Sequence, residues 1–152
     1  MKDLKKYLNK SPLMDVRIKY GSEVFKFNLY RELIIDENKI NTELQEQPGY
    51  YGFIGLLLVK LQRSKDDAEA ELNKKSAHLF IKFKTKMNEN TGRENSEKLA
   101  EALVEDSEEY IEATKRLNKL KESVGIIKQC LLAFEQRSSL IQSLSANRRK
   151  EI

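Results

Sequence analysis

A lysine-rich segment without acidic residues is the part of this sequence best suited to bind a polyanion. Residues 74–86 read Lys-Lys-Ser-Ala-His-Leu-Phe-Ile-Lys-Phe-Lys-Thr-Lys, and the basic side chains are those of Lys74, Lys75, Lys82, Lys84 and Lys86. Lysines neutralise phosphates, and an exposed ring such as that of Phe80 stacks on any base of a single strand. The segment therefore indicates a site for single-stranded nucleic acid. Two alternatives stay open: a solvated helix face, and packing of Phe80 between subunits.

The residue types that carry catalysis are scarce in this chain. The single histidine, His78, stands in the lysine-rich segment with no aspartate or cysteine patterned near it, and Cys130 is the one cysteine. The sequence contains no GxSxG, GxxxxGK[ST], GxGxxG or HExxH motif. A lone cysteine excludes an internal disulfide framework and a Cys/His zinc cluster. We therefore expect a protein that is not an enzyme and needs no metal or cofactor, with His78 on the surface or facing DNA.

A second run of charge has the opposite sign. Six carboxylates fall between Leu99 and Ala113 with no basic residue among them: Glu101, Glu105, Asp106, Glu108, Glu109 and Glu112. The whole chain of 152 residues carries a net charge of +4. A basic face suits nucleic acid, and an acidic face suits a basic partner or a second copy. The alternative is two solvated helix surfaces.

A β-hairpin is expected before the helical part of the chain. Apolar residues alternate with polar ones on both sides of Gly21-Ser22: Val16, Ile18 and Tyr20 before it, and Phe25, Phe27 and Leu29 after it. Glycine permits the positive φ of a type II′ turn, and in that register Ile18 faces Phe25 and Val16 faces Phe27. An isolated hairpin is marginal in water, so its apolar face must pack on the helices or on a neighbouring subunit. We assign residues 1–35 to this segment and residues 36–152 to a helical domain.

The lysine-rich segment is expected near the end of a long helix. Asp36 is suited to cap a helix beginning near Glu37, and Pro48-Gly49 is expected to break or kink it. From Tyr50 to about Met87, apolar residues recur at three- and four-residue spacings or their multiples: Ile54, Leu58, Leu61, Ala68, Leu72, Leu79, Phe83 and Met87. A turn with Gly92 as its flexible point follows, and then a short helix from Ser96 to about Val104.

The last helix, capped by Asp106 or Ser107, has the most regular pattern. Its apolar residues keep a 3-4 spacing: Ala113, Leu117, Leu120, Val124, Ile127, Leu131, Phe134 and Ile141, with Ser138 polar between the last two. The turn near Gly92 lets residues 50–87 fold back against this seam. The predicted fold is therefore mainly α: a long antiparallel helical hairpin, coiled-coil-like, with a small N-terminal β-hairpin. Its thin core favours association with other copies.

Several motifs resemble those of the phage UvsY-like recombination mediators. Ile35-Asp36-Glu37-Asn38-Lys39-Ile40 is similar to the family's opening I-D-x-x-K-[LI]. Tyr51 and the Glu-x-x-Lys-Lys-x-Ala segment from Glu71 to Ala77 follow at compatible distances, and the family's basic and aromatic DNA-binding motif then falls on Leu79 to Thr85. The resemblance extends from residue 35 to about residue 150 and includes Asp106 to Tyr110 and Leu140 to Arg149.

The resemblance implies a homo-oligomer, which can take the form of a ring, that binds single-stranded DNA. Such a mediator loads a RecA-like recombinase onto DNA covered by single-strand-binding protein, and it hydrolyses no nucleotide itself. Phosphate contacts are implied for Lys74, Lys75, Lys82, Lys84 and Lys86, base stacking for Phe80, and self-association for the C-terminal helix. Arg148, Arg149 and Lys150 form a second basic cluster, which either adds contacts to DNA or is a solvated tail.

Two other functional classes stay open. One is a structural or assembly coiled-coil protein without DNA function, in which the charged faces serve assembly alone. The other is a Gam-like protein, a helical-hairpin dimer that protects the ends of double-stranded DNA. Binding to matched single- and double-stranded oligonucleotides separates the three classes.

The sequence also bears on location. No apolar run approaches the roughly 18 residues of a membrane span. No apolar region of the kind found in signal peptides follows the basic N-terminus, Met1 to Lys6. We therefore expect a cytoplasmic protein without a membrane partner, in the host cytoplasm if it is phage-encoded.

Overall fold

A computed structural model describes Leu8 and residues 11–150. Two antiparallel strands, β1 (Asp15–Tyr20) and β2 (Glu23–Asn28), are followed by a short helix, α1 (Leu29–Leu33). The remaining helices are α2 (Ile40–Lys84), α3 (Glu97–Glu105) and α4 (Glu108–Lys150), with single 3-10 turns at Pro12–Met14 and Glu37–Lys39. The predicted fold class is confirmed.

The β-hairpin has the register that the alternating pattern predicts. Ile18 pairs with Phe25, and Val16 pairs with Phe27. Gly21 has a φ of 60°, and the described chain has no other residue type at positive φ, so the Gly21-Ser22 turn fits type II′. The chain therefore reverses direction at a glycine, the residue type that adopts positive φ without a steric cost.

The described chain forms two compact units. The first unit consists of two segments, one up to Leu61 and one from Ser123 onward. The second unit spans Gln62–Glu122. The first unit contains the hairpin together with parts of α2 and α4. The predicted division into an N-terminal segment, residues 1–35, and a helical domain, residues 36–152, stays a prediction.

The apolar face of the hairpin packs on helices of its own chain. Val16 and Ile18, which are 6% and 1% exposed, belong to a core cluster with residues of α2 and α4. The helical members of that cluster are Ile54, Leu57, Leu61, Val124, Ile127, Cys130 and Phe134. Burial against two helices supplies the apolar partner that an isolated hairpin lacks.

The start of α2 confirms the predicted cap and corrects the predicted break. The Asp36 carboxylate accepts from the Asn38 backbone N–H at 3.0 Å, and one 3-10 turn leads into α2 at Ile40. Pro48 lies inside α2, which runs on without interruption, so the expectation of a break at Pro48-Gly49 is wrong, whereas the alternative of a kink stays a prediction. Proline removes one backbone hydrogen bond, but packing on both sides of it keeps the segment helical. Gln47 donates from Nε2 to the Phe134 carbonyl oxygen at 2.8 Å, and Ile54 is buried.

The other end of α2 lies three residues before the predicted end. The helix ends at Lys84, and Met87 forms an isolated β-bridge with Glu94. Met87 is 58% exposed, so its assignment to the apolar seam is wrong. The chain has already left the helix there, and helical periodicity no longer decides which way a side chain points.

Within each unit, α2 and α4 run antiparallel. In the first unit, Gln47 bonds to Phe134, whereas Gly55, farther along α2, approaches the earlier residue Leu131. In the second unit, Arg116 Nη1 donates to Glu71 Oε2 at 3.0 Å. Farther along α2, Phe80 lines a groove together with Tyr110, which comes before Arg116 in α4.

The seam of α4 is confirmed in most positions and shifted in two. The buried residues include Ala113, Leu117, Val124, Ile127, Phe134 and Ile141, whereas Leu120 and Leu131 are half-buried. Cys130 and Arg137, which precede Leu131 and Ser138, are buried instead, at 1% and 5% exposure. Here α4 packs against the β-hairpin as well as α2: Cys130 belongs to the core cluster with Val16 and Ile18, and Arg137 bonds to Gln47 of α2. Ser107 caps this helix through its hydroxyl, which accepts from the Tyr110 N–H at 3.4 Å.

Candidate nucleic-acid interface

The lysine-rich segment forms the last part of α2 and the two residues after it. Leu79, which is 2% exposed, anchors this stretch in the core of the second unit. At 100° per residue, Lys74, His78 and Lys82 lie one turn apart along one side of the helix. All three side chains are exposed, as is Lys86 beyond the helix end. We call Lys74, His78, Lys82 and Lys86 the lysine flank.

Two of the five predicted lysines have partners within the chain, and Lys84 is the first. It is half-buried, and its Nζ donates to the Asn95 carbonyl oxygen at 2.8 Å. Asn95 is buried and donates from Nδ2 to the Phe83 carbonyl oxygen at 2.8 Å, so that Lys84 helps to fix the loop that follows α2. Because an ammonium has three donors, Lys84 keeps capacity for a phosphate. Its position is nevertheless set by the fold.

Lys75 takes part in an ion pair with an acidic residue. Its Nζ lies 3.4 Å from Glu71 Oε1, one turn earlier in α2, and Glu71 also accepts from Arg116 of α4. These residues line a depression of about 230 Å³ together with Glu112. The carboxylates beside Lys75 make it a weaker phosphate ligand than an isolated lysine, because they already neutralise its charge.

Phe80 lies away from the lysine flank. At 100° per residue it is about 200° around α2 from Lys82. Its half-buried ring lines a groove of about 520 Å³ whose other walls include Glu101, Glu105 and Tyr110. The structure therefore does not bring the predicted stacking residue beside the exposed lysines. Sequence proximity suggested that pairing, and helical geometry separates it.

The acidic run predicted from the sequence contributes to the groove that holds Phe80. Glu101 and Glu105 of α3 border the groove that holds Phe80. Carboxylates at that rim repel phosphates, whereas the lysine flank carries no acidic side chain between residues 74 and 86. Within the second unit, the lysine flank and the groove bordered by the carboxylates of α3 thus lie on different sides of α2.

The second basic cluster lies at the end of α4. Arg148, Arg149 and Lys150 are exposed, and the Arg149 guanidinium lies within 3.5 Å of oxygen atoms of Ser145. This cluster belongs to the first unit and the lysine flank to the second. Positive side chains in the last turn are favoured by the helix dipole, so the cluster has a structural explanation as well as a functional one.

Sequence reasoning missed a buried polar network in the first unit. The guanidinium of Arg137 donates to the side chains of Glu43 and Gln47, and to the Ile34 carbonyl oxygen at 3.2 Å. The Asp36 N–H donates to Glu43 Oε1 at 3.0 Å. This hydrogen bond, together with Arg137, lowers the pKa of Glu43 below its usual value, against the opposing effect of burial. The one available signal was an arginine next to Ser138 in an otherwise apolar seam.

Two further properties concern the described part of the chain. No group of three or more His, Cys, Asp or Glu residues within it is arranged to hold a metal ion. None of the described helices has the length and apolar character needed to cross a membrane. Comparison of the chain with family models, with curated proteins and with solved structures finds no match.

Proposed function

We propose that this protein is a recombination mediator of the UvsY type, which binds single-stranded DNA through the lysine flank. The observation that carries the proposal is the row of exposed cationic side chains at Lys74, Lys82 and Lys86, with His78 between the first two. Such a row follows a sugar-phosphate backbone without reading its sequence. The motifs from Ile35 to Thr85 that resemble the mediator family support the same function.

In this proposal the protein acts without catalysis. Copies of the chain assemble into a homo-oligomer, which repeats the lysine flank and adds weak contacts through multivalency. The assembly holds a strand covered by single-strand-binding protein and helps a RecA-like recombinase to load onto it. Phosphate contacts come first from Lys74, Lys82 and Lys86. Lys75 and Lys84 contribute less, because other groups of the chain engage them.

A structural or assembly role is the second candidate. The engagement of Lys75 and Lys84 within the fold, and the position of Phe80 beside Glu101, are what a protein without a DNA ligand also shows. In that case the lysine flank is a solvated surface. A Gam-like role differs again, since it requires a preference for double-stranded DNA.

The lysine flank is tested by removing three positive charges and measuring DNA affinity. Lys74, Lys82 and Lys86 are changed together to Ala, and binding to a fluorescent single-stranded oligonucleotide is followed by anisotropy at low salt. We expect the affinity to fall at least tenfold, because three phosphate contacts are lost. The parent is expected to bind the single strand more tightly than the matched duplex.

A matched variant controls for the loss of net charge. Lys98, Lys115 and Lys121 are also exposed lysines of the second unit, and the Lys98/Lys115/Lys121→Ala variant carries the same charge as the test variant. It should retain near-parental affinity, helicity and oligomer mass. If the test variant binds the single strand as tightly as the control variant does, the result favours the structural role. A parent that prefers duplex ends would favour the Gam-like role.

A further inference from the structure

A stretch of α2 in the first unit is free of charge on every side. Residues 48–59 read Pro-Gly-Tyr-Tyr-Gly-Phe-Ile-Gly-Leu-Leu-Leu-Val, in a chain of which 34% is charged. One side of this stretch is buried through Ile54 and Leu57 in the core with α4 and the hairpin. On the opposite side, Leu56 and Val59 are 66% and 65% exposed. Apolar side chains facing solvent in an otherwise highly charged protein mark an interaction surface.

Two glycines on that exposed side are not required by packing against the described residues. A Cβ atom added to Gly49 or Gly52 would meet no atom of the described residues within 4 Å, whereas one added to Gly55 would contact Leu131 at 4.0 Å. A glycine inside a helix lowers its stability, and neither residue has a positive φ that would require glycine. At 100° per residue, Gly49, Gly52, Leu56 and Val59 lie along one side of α2. We call these four residues the glycine stripe.

The glycine stripe is complementary to itself. When two copies of α2 cross antiparallel about a two-fold axis next to residue 54, Gly52 of one copy faces Leu56 of the other. In the same register Gly49 faces Val59. Each large apolar side chain therefore meets a glycine, so that the two helices can approach closely. A two-fold contact requires this kind of self-complementary surface.

The charges beside the stripe agree with the same register. Glu46 and Lys60 lie on the same flank of α2, just outside the charge-free stretch. Residues on one flank of an antiparallel pair of identical helices face the same flank of the partner. Glu46 of one copy then lies near Lys60 of the other, so that opposite charges approach each other on both sides of the axis. Lys60 also has a contact within its own chain, since its Nζ lies 5.6 Å from the centroid of the Tyr20 ring, and an ammonium can keep that contact while it approaches a carboxylate.

We propose that a second copy of this chain docks on the glycine stripe through an antiparallel, two-fold contact of α2. The inference specifies the self-association that the proposed function includes, but it rests on no DNA contact, since no residue of the stripe belongs to the lysine flank. Self-complementarity of glycines, large side chains and flanking charges is what favours a second copy over a lipid surface or an unrelated protein.

The first test compares the mass of the parent with that of a variant charged in the stripe. Sedimentation equilibrium of the full chain at micromolar concentration, without DNA, should give at least twice the monomer mass of 17.7 kDa. Leu56→Glu should lose this contact and halve the mass. Leu132→Glu changes a residue of α4 that is 52% exposed, and it should leave the mass unchanged. A monomeric parent, or a Leu56→Glu variant with the parental mass, overturns the inference.

The second test examines the register itself. Gly52→Lys and Leu56→Glu are expected to fail to self-associate when each is alone, because a charge then faces an apolar residue or a glycine. Mixed in equal amounts, they should restore the dimeric contact, since one side keeps Gly52 against Leu56 and the other pairs the new charges. A mixture that stays monomeric excludes this register. Association of a monomeric parent with phospholipid vesicles would assign the stripe to a lipid surface and overturn the inference as well.

Discussion

At the scale of single residues, Arg137 is a buried cation that donates to three acceptors of its own chain. It is 5% exposed, pairs with Glu43, and also bonds to Gln47 and to a carbonyl oxygen of the segment before α2. A buried guanidinium loses hydration that only such partners replace. The network joins the entry of α2 to α4. It also sets the register of the two helices near Pro48, where the sequence suggests a break.

Removing Arg137 alone should destabilise the protein strongly. Arg137→Met leaves the Glu43 carboxylate without its cation in a site that is largely closed to water. We expect a loss of about 3–5 kcal/mol in the free energy of unfolding, measured by urea denaturation. The double variant Glu43→Gln/Arg137→Met should recover part of this loss. The neutral amide introduced at position 43 leaves no unpaired charge, and its oxygen still accepts from the Asp36 N–H. A double variant no more stable than Arg137→Met would contradict the assignment of an ion pair.

The pH dependence of the network has a definite sign. The Asp36 N–H and Arg137 lower the pKa of Glu43 in the folded protein from an ordinary value of 4.5. A lowered folded pKa means that the contribution to stability is present above the unfolded value and is lost as the pH falls through the folded one. The stability difference between the parent and Glu43→Gln should therefore be largest near neutral pH and shrink in acid.

At the scale of elements, burial separates positions that look equivalent in the sequence. Leu61 and Leu131 both belong to the predicted seams, but Leu61 is fully buried and Leu131 is half-buried. We expect Leu61→Ala to cost about 2–5 kcal/mol in the free energy of unfolding, since it leaves a cavity. Leu131→Ala should cost clearly less, because solvent already reaches the site. Equal losses in urea denaturation would show that the two positions share one packing environment.

The elements also show how far sequence patterns predict this fold. The period-2 alternation around Gly21 predicts the hairpin and its register, because glycine and strand pairing leave few alternatives. Helix caps at Asp36 and Ser107 are likewise local, and they are confirmed. The continuation of α2 through Pro48 is not local. It depends on contacts with α4, which no window of sequence contains.

The candidate site shows the same distinction. The exposure of Lys74 and Lys82 agrees with their residue type, because a lysine is rarely buried without a partner. The bond from Lys84 to Asn95 depends on the path of the loop after α2, and the groove around Phe80 depends on α3. Both arise from tertiary structure, so the segment alone could not show which basic and aromatic groups are available to a ligand.

At the scale of the whole molecule, the proposed function depends on many weak contacts. A chain of 17.7 kDa with three exposed lysines on one flank offers few phosphate contacts by itself. In the proposed function, association of copies would multiply these contacts, and it would also cover apolar surface such as the glycine stripe. Self-association and DNA binding remain separable, because they use different residues and different measurements detect them.

The salt dependence of DNA affinity distinguishes a DNA-binding lysine flank from a solvated one. Each lysine that neutralises a phosphate of a single strand adds about 0.7 to the slope of log affinity against log salt concentration. The Lys74/Lys82/Lys86→Ala variant should therefore show a slope about 2 units shallower than the parent for each copy in contact with DNA. The Lys98/Lys115/Lys121→Ala variant should keep the parental slope. A parental slope in the first variant, at equal oligomer mass, would contradict binding through the lysine flank.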